Sequence, residues 1–189
     1  MKKIIVLAAA VLSLAWAATT HADTYLGLYG GAALTPDQKV TVDNTVIPQA
    51  EFGTGTLAGG KLGHWMKEYP WVAAELNVWS EWLPMKDPRE FNLVNFSGSL
   101  LLQWVCNPFR LYGGGGPMGT WANLSEDPDA DDLAIGAMAQ AGVEYSILPC
   151  WSVFGEYRFA WSDLDFNEGS VLKSSLERHE ALGGINFRF

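Results

Sequence analysis

Charged side chains are scarce in this chain, and basic ones are scarcer than acidic ones. Only 17 % of its 189 residues are charged, whereas an average soluble domain has about 25 %. Hydrophobic residues make up 49 % and the mean hydropathy is +0.05, which excludes intrinsic disorder. The 12 basic residues face 21 acidic ones, for a formal net charge of −9. We therefore expect no nucleic-acid partner, because neutralising phosphates requires clustered Lys and Arg.

Long apolar runs are also missing, apart from one at the N-terminus. Residues 1–22 have the pattern of a secretory signal peptide, in which two lysines are followed by an apolar stretch and by the small-x-small cleavage site Thr20-His21-Ala22. That stretch of 15 residues is too short to cross a bilayer comfortably as a helix. Cleavage leaves residues 23–189 as a single domain with 10 basic and 21 acidic side chains, a formal charge of −11. It has no run of about 20 apolar residues, so we expect no helical membrane anchor.

A β-barrel crosses a membrane without a long apolar run, because its backbone hydrogen bonds close between strands and only every second residue of a strand needs to be apolar. The mature chain has this alternation in segments separated by short turns and longer polar stretches, and helical periodicity fails over the same windows. Gly113 to Gly116 would be a poor strand in isolation but suits a crowded or sharply bent barrel wall. The sequence predicts an all-β fold, an eight-stranded antiparallel transmembrane β-barrel. Its predicted strands are residues 24–34, 54–65, 71–82, 91–105, 110–121, 132–145, 151–162 and 174–189.

Several predicted strands carry charged residues in mid-strand on one face and apolar residues on the other. A soluble sandwich core would not accept such charges unpaired, whereas a narrow membrane barrel pairs opposite charges inside and presents its apolar face to lipid. One interior pair is Lys61 with Glu75, which face each other directly if the turn between their strands is centred on Glu68. The other polar residues predicted to lie inside are Glu144, Glu156, Arg158, Arg178, Glu180 and Arg188.

Aromatic residues gather at the ends of the predicted strands. Two such girdles are expected where a membrane protein passes through the lipid headgroups, and aromatic residues used only for core packing would not be confined to strand ends. The residues beside short turns are Trp65, Trp71, Trp104, Tyr145 and Trp151, and those beside long loops are Trp82, Trp121 and Trp161.

The chain has only two cysteines, Cys106 and Cys150. An exported protein meets an oxidising compartment, so a disulfide between them is the default expectation. The alternative is that they are two separate small apolar residues, and it stays open because disulfide geometry cannot be read from sequence.

The first predicted strand opens with Tyr25-Leu26-Gly27-Leu28-Tyr29-Gly30-Gly31, and the chain closes with Gly184-Ile185-Asn186-Phe187-Arg188-Phe189. With these motifs and its alternating strands, essentially the whole mature chain resembles the small outer-membrane β-barrel family of Gram-negative bacteria, which includes the OmpA membrane domain, OmpX and the opacity-type proteins. The resemblance implies location in the outer membrane of the cell envelope, contact with lipid and lipopolysaccharide, short periplasmic turns and long outer loops. It also implies that Phe187 and Phe189 belong to a signal read by the barrel-assembly machinery. Cys106 and Cys150 would then lie at two turns on the same side, where a bridge is conceivable.

An eight-stranded barrel is just wide enough for its own side chains, so we do not expect a wide diffusion porin. We expect a structural, adhesion or surface-binding role through the outer loops, with a possible surface ligand, no cofactor and no enzyme activity. The segment Ser125 to Asp132 has five carboxylates in eight residues but lacks the glycine turn and spaced ligands of an EF-hand loop. We interpret it as a solvated acidic loop, with bridging to cations or lipopolysaccharide as the alternative, and predict no metal site.

Two other functions remain as alternatives. One is a lipid A-modifying acyl hydrolase or transferase, which would draw a nucleophile, a base and an orienting acid from a small set of side chains. The pattern of the lipid A deacylases, a His and a Ser two apart on one strand face, is absent, because Glu177 and Ala181 flank His179 at that spacing and Met66 follows His64. The other is a soluble periplasmic lipocalin-like ligand-binding barrel, which requires apolar residues inside. The candidate residues for the enzyme are His64, His179, Ser174, Ser175, Glu177 and Glu180.

Overall fold

A computed structural model describes the backbone of residues 24–36, 38–42, 45–50, 54–84, 90–124, 132–166 and 172–189. Within these, side chains are described for residues 24–36, 54–82, 93–121, 134–162 and 177–189. The predicted signal peptide and residues 125–131 of the acidic segment lie outside the described residues.

The described chain is built of antiparallel β-strands, and none of it forms a helix long and apolar enough to cross a membrane. Eight of the strands coincide with the predicted ones, two of them with the same bounds and the others within a few residues. The strands are β1 (Thr24–Leu34), β2 (Gln38–Val42), β3 (Thr45–Ala50), β4 (Thr54–Trp65), β5 (Val72–Pro84), β6 (Glu90–Cys106), β7 (Phe109–Leu124), β8 (Asp132–Leu148), β9 (Trp151–Phe166) and β10 (Leu172–Arg188).

Eight strands close into a barrel in the order β1-β4-β5-β6-β7-β8-β9-β10. The closing contact is the antiparallel pairing of β1 with β10, which runs from Tyr25 opposite Arg188 to Leu34 opposite His179. Closure gives both edge strands a hydrogen-bonding partner, which a sheet in hydrocarbon requires. The predicted fold class is confirmed.

The first long connection differs from the prediction. Residues 35–53 are predicted to be a polar loop, but they contain the hairpin β2–β3, and β2 pairs with the start of β10 at Val42–Leu172 and Thr41–Lys173. The β-branched residues of both strands favour extended structure, although each strand is too short to show clear alternation. The hairpin enlarges the sheet at the long-loop end of the barrel.

The two faces of the barrel have opposite polarity. Glu75, Glu156 and Arg158 are buried inside, whereas Leu76, Leu100 and Ile135 are 55 %, 61 % and 74 % exposed on the outer wall. This is the polarity of a membrane-spanning barrel and the reverse of what a soluble lipocalin-like barrel requires.

Exposed aromatic side chains lie at both ends of the outer wall. The prediction is wrong for Trp65, which points inside, is 5 % exposed and stacks on Tyr25. Trp65 follows the outward residue His64 at the end of β4, so alternation along the strand turns it inward. The prediction used only its position beside a turn. The other predicted girdle residues are exposed: Trp71, Trp104, Tyr145 and Trp151 at the turn end, and Trp82, Trp121 and Trp161 at the loop end.

The β6–β7 contact is crowded where β7 is rich in glycine. A Cβ atom at Gly114 would overlap with the backbone oxygen of Leu100, and one at Gly116 would overlap with that of Gly98. The register continues without a shift across this region, but Gly98 and Ser99 are not paired with the strand opposite. Part of the reason is Pro117, which has no N–H to donate. The crowded wall predicted for Gly113 to Gly116 is present.

We expect Gly114→Ala to destabilise the barrel and Gly155→Ala to leave it nearly unchanged. The first methyl group forces β6 and β7 apart, at a cost of about 1–3 kcal/mol, whereas a Cβ atom at Gly155 would meet nothing within 4 Å. Urea unfolding in lipid vesicles, followed by tryptophan fluorescence, measures both free energies. Equal stability of the two variants would show that the close approach is not needed.

Candidate functional site

The interior of the barrel holds a network of charged side chains in three clusters. Five basic and five acidic side chains of the described part of the chain take part in its ion pairs, so their formal charges balance. The clusters follow the barrel from one end to the other. The central cluster comprises Lys61, Glu75, Glu156, Arg158 and Glu180, the loop-side cluster Glu81 and Arg178, and the turn-side cluster Arg110, Glu144 and Arg188.

The central cluster is a chain of alternating charges. Lys61 Nζ lies 2.8 Å from Glu156 Oε2 and 3.7 Å from Glu75 Oε2. Arg158 lies 2.8 Å from the other Glu156 oxygen and 3.4 Å from Glu180 Oε2. Each cation therefore lies between two carboxylates, which offsets part of the cost of removing these charges from water.

Neutral polar groups add hydrogen bonds to two of these carboxylates, Glu75 and Glu156. Asn77 Nδ2 and Gln140 Nε2 donate to Glu75 Oε1 at 2.9 Å and 2.6 Å, and the Tyr25 hydroxyl donates to Glu75 Oε2. The Tyr112 hydroxyl donates to Glu156 Oε2 at 2.8 Å. Bonds to ionised groups are among the stronger hydrogen bonds, so these four residues fix the positions of the acidic side chains.

Aromatic rings pack against the two central cations. Lys61 Nζ lies 3.7 Å from the ring centre of Phe154, and Arg158 Cζ lies 4.6 Å from that of Trp79. Both distances are within the range of cation–π attraction. The rings also fill the space that the charged groups leave.

The other two clusters lie towards the ends of the barrel. In the loop-side cluster, Arg178 pairs with Glu81 at 2.5 Å and donates to Asn95 Oδ1 at 3.1 Å. In the turn-side cluster, Arg188 lies 2.6 Å and Arg110 3.9 Å from Glu144. Arg158 and Arg178 are 0 % exposed, so neither side chain is in contact with bulk solvent.

The predicted interior residues lie inside the barrel, but the geometry of the Lys61–Glu75 pair differs from the prediction. Lys61 is directly opposite Asn77, and Glu75 is opposite Gly63, because the turn is centred one residue later than Glu68. The two side chains meet diagonally instead. Glu144, Glu156, Arg158, Arg178 and Glu180 are buried, and Arg188 is partly exposed at the turn end.

Sequence reasoning missed several members of the network. Glu81, Tyr25, Tyr112 and Gln140 are not among the residues predicted to form the interior network. The alternation that places Glu156 and Arg158 inside β9 applies equally to these residues on their own strands. Which of them meet across the barrel depends on the tilt and register of strands far apart in sequence.

The expected disulfide is not formed, and Cys106 and Cys150 are exposed free thiols. Cys106 ends β6 and Cys150 follows β8, so the whole of β7 lies between those two strands. Two strand spacings amount to about 9–10 Å, whereas the Cα atoms of a disulfide are usually at most about 7 Å apart.

The histidines considered for catalysis lie on the outer wall. His64 Nδ1 is 2.9 Å from Thr24 Oγ1, and His179 Nδ1 is 2.5 Å from the Tyr157 hydroxyl. Glu177 shares the outward face of β10 with His179, but Glu180 points inside. Ser174 and Ser175 lie where the side chains are not described. The described residues include no group of three or more His, Cys, Asp or Glu that could hold a metal ion.

The two terminal aromatic residues lie at the turn end. Phe187 is 38 % exposed on the outer wall and packs against Trp151, with ring centres 4.9 Å apart, while the Phe189 ring stacks on it at 6.1 Å. Their part in recognition by the assembly machinery stays a prediction.

No protein-family model and no curated protein matches the chain. Among solved structures it is similar to the Neisserial surface protein A (15 % identity, 88 % of this chain and 97 % of that one, TM-score 0.57). It is also similar to the outer membrane protein OprG of Pseudomonas aeruginosa, with 13 % identity over 89 % of this chain and 97 % of that one and a TM-score of 0.57. The outer membrane protein AlkL is similar as well, with 11 % identity over 91 % of this chain and 93 % of that one and a TM-score of 0.51. The chain thus has the fold of the small outer-membrane β-barrels. That fold, the apolar outer wall and the two aromatic girdles place it in the outer membrane.

We expect removal of one partner of the Arg178–Glu81 pair to cost more than removal of both. Arg178→Met or Glu81→Leu alone leaves a buried charge unpaired, at about 3–5 kcal/mol, and the double variant restores neutrality. The free energies of unfolding in urea form the double-mutant cycle. Arg188→Met is the matched control at the partly exposed end, where Glu144 keeps Arg110 and Ser152 as partners, and its cost should stay below about 2 kcal/mol. Additive losses in the cycle would contradict the pairing.

Proposed function

We propose that this outer-membrane barrel acts at the cell surface, as an anchor for a binding or adhesion surface formed at its long-loop end, and not as a diffusion porin. The observation that carries the proposal is the extension of the sheet beyond the membrane at that end, above an interior filled by side chains. The wall itself contacts lipid and lipopolysaccharide.

The packed interior argues against free diffusion of solutes. Trp79, Arg158 and Arg178 are among the largest fully buried side chains of the described residues, and all three point inside. Opening a path would require breaking ion pairs that are buried on every side. An eight-stranded barrel has room for such side chains and little else.

We infer the edges of the membrane from the height of the outer wall. Trp151 and Trp161 lie on the outward face of β9, ten residues apart. At about 3.3 Å per residue and a tilt of about 40°, this separation spans roughly 25 Å along the barrel axis, the height of the apolar band of such barrels. β9 continues to Phe166. Five residues of β9 therefore project beyond the girdle, and at the same level β2 pairs with β10, the neighbour of β9.

The chain at this end carries a strong negative charge in its sequence. The segments 35–53, 83–90, 123–132 and 163–176 contain 13 acidic and 4 basic residues. Most of the net charge of the mature chain is thus in the connections at the long-loop end. Such a surface favours a basic partner, or divalent cations that bridge it to the phosphates of lipopolysaccharide.

Absence of enzyme activity is part of the proposal. The nearest described partners of His179 are the Tyr157 hydroxyl and the Phe159 ring, 5.3 Å between ring centres. A hydroxyl held by an imidazole resembles an activated nucleophile in outline, but here the hydroxyl belongs to a tyrosine and not to a serine. Glu180 lies on the opposite face of β10, and Glu177 is the candidate acid that shares the face of His179.

In the loop variant, the segments 35–53 and 125–131 are shortened to glycine-serine turns. We expect bacterial cells that display this variant to adhere to epithelial monolayers at least about tenfold less than cells with the wild-type protein. A tenfold loss corresponds to ~1.4 kcal/mol of binding free energy. The matched control replaces Lys67 and Glu68 in a short turn by Gly and Ser, which leaves the loop end intact. Counting of bound bacteria measures the effect. Undiminished adhesion of the loop variant would overturn the binding role.

The folding of each variant is checked by electrophoresis of outer membranes, since a folded membrane barrel resists SDS until it is boiled. The same purified proteins are then placed in planar bilayers. Large stepwise currents from the wild-type protein would contradict the closed interior and would favour a porin.

We expect His179→Ala to leave the composition of lipid A unchanged. The variant removes the histidine of the enzyme hypothesis but leaves Glu180 and the interior network in place. Mass spectrometry of lipid A from cells with the wild-type protein, the variant or no protein distinguishes the cases. An acyl chain lost or gained only with the wild-type protein would establish an enzyme.

A further inference from the structure

A hollow of about 560 Å³ lies in the outer wall between β4, β5, β6 and β7. Its volume is within the range of ligand pockets, about 300–1,000 Å³. Three leucines with outward side chains border it. Its apolar lining includes Leu62, Ala74, Leu76, Gly98, Leu100 and Pro117.

Missing side chains and missing backbone pairing create the hollow. Gly98 and Gly115 line it without any side chain, whereas Leu76 and Leu100 beside them are 55 % and 61 % exposed. The β6–β7 ladder is also interrupted at Gly98, opposite Pro117. The outer wall is therefore recessed at Gly98 and Gly115, between projecting leucine side chains.

One end of the hollow is polar. His64 and Thr24 line it there, and the His64 Nδ1 and Thr24 Oγ1 atoms are 2.9 Å apart. His64 precedes the end of β4 by one residue and is exposed, so this end lies at the turn-side rim of the wall. An apolar body with a polar end at the headgroup level matches the shape of an amphiphile.

We propose that this hollow is a lipid site, in which one acyl chain of a phospholipid lies between β4 and β7 with its headgroup at His64. The wall around the hollow faces hydrocarbon, so lipid chains are the surrounding solvent. An unfilled hollow would forfeit dispersion contacts of its lining, and that lining extends from β4 across β5 and β6 to β7. The site is separate from the outer loops, and it stands whether or not they bind a partner.

The glycines of the wall provide a direct test. A Cβ atom at Gly98 would meet only Leu76 Cδ2, at 3.7 Å, and one at Gly155 would meet nothing within 4 Å. Gly98→Leu therefore fills the hollow, while Gly155→Leu adds the same side chain to the open outer wall of β9. The two variants have equal composition and both are tolerated by the backbone.

Native mass spectrometry measures retained lipid after release of the folded proteins from micelles with added dipalmitoyl phosphatidylglycerol. We expect one retained lipid on the wild-type protein and on Gly155→Leu. Gly98→Leu should bind it more weakly by about fourfold for each methylene that it excludes. His64→Ala should weaken retention of phosphatidylglycerol but not of dipalmitoylglycerol, which lacks the phosphate.

Equal retention by Gly98→Leu and the wild-type protein would overturn the proposal, and so would equal loss in both leucine variants. A dimer that disappears only in Gly98→Leu would identify a second copy of the chain as the occupant instead. If Gly98→Leu fails the heat-shift test for folding, Leu100→Ala replaces it. That variant removes one border of the hollow, and unchanged retention there would equally refute the lipid site.

Discussion

The structure depends on the closure of the backbone hydrogen-bond ladder between β1 and β10. In hydrocarbon an unpaired N–H or C=O group costs several kcal/mol, so a sheet with free edges is not stable there. Closure with eight strands then sets the diameter of the barrel. That diameter is too small for a water-filled channel and too large to be left empty, which makes the choice of interior side chains the second constraint on the sequence.

Long charged side chains fill this interior, and their arrangement follows from where each can find a partner. Lys61 and Arg158 each lie between two carboxylates, and the described ion pairs balance in charge. A hydrophobic core would fill the space equally well. With charges inside and hydrocarbon outside, however, only one of the two faces of each strand can point into the barrel. A slip of one residue in register would turn Arg158 or Glu156 towards lipid.

The sequence predicted the number of barrel strands, their bounds within a few residues and the inward face of most of them, because alternation is a local property. It failed where the outcome depends on turns or on distant strands. Lys61 and Glu75 meet diagonally because the turn between their strands is centred one residue later than predicted. Trp65 lies inside the barrel, although its position beside a turn predicted a place in the outer aromatic girdle. The disulfide prediction was wrong for a similar reason, since the separation of Cys106 and Cys150 follows from the order of the strands. The hairpin β2–β3 was missed because its strands are too short to show a period.

Glycine has three different consequences in the same wall, which no propensity scale separates. Gly114 allows two backbones to approach so closely that any side chain would overlap with Leu100. Gly155 lies on an open stretch of the outer wall, where a Cβ atom would meet nothing within 4 Å. Gly98 lies between these extremes, where the neighbouring leucines project and the ladder is interrupted. A missing side chain there leaves a recess, and in a membrane a recess in the wall is open to lipid chains.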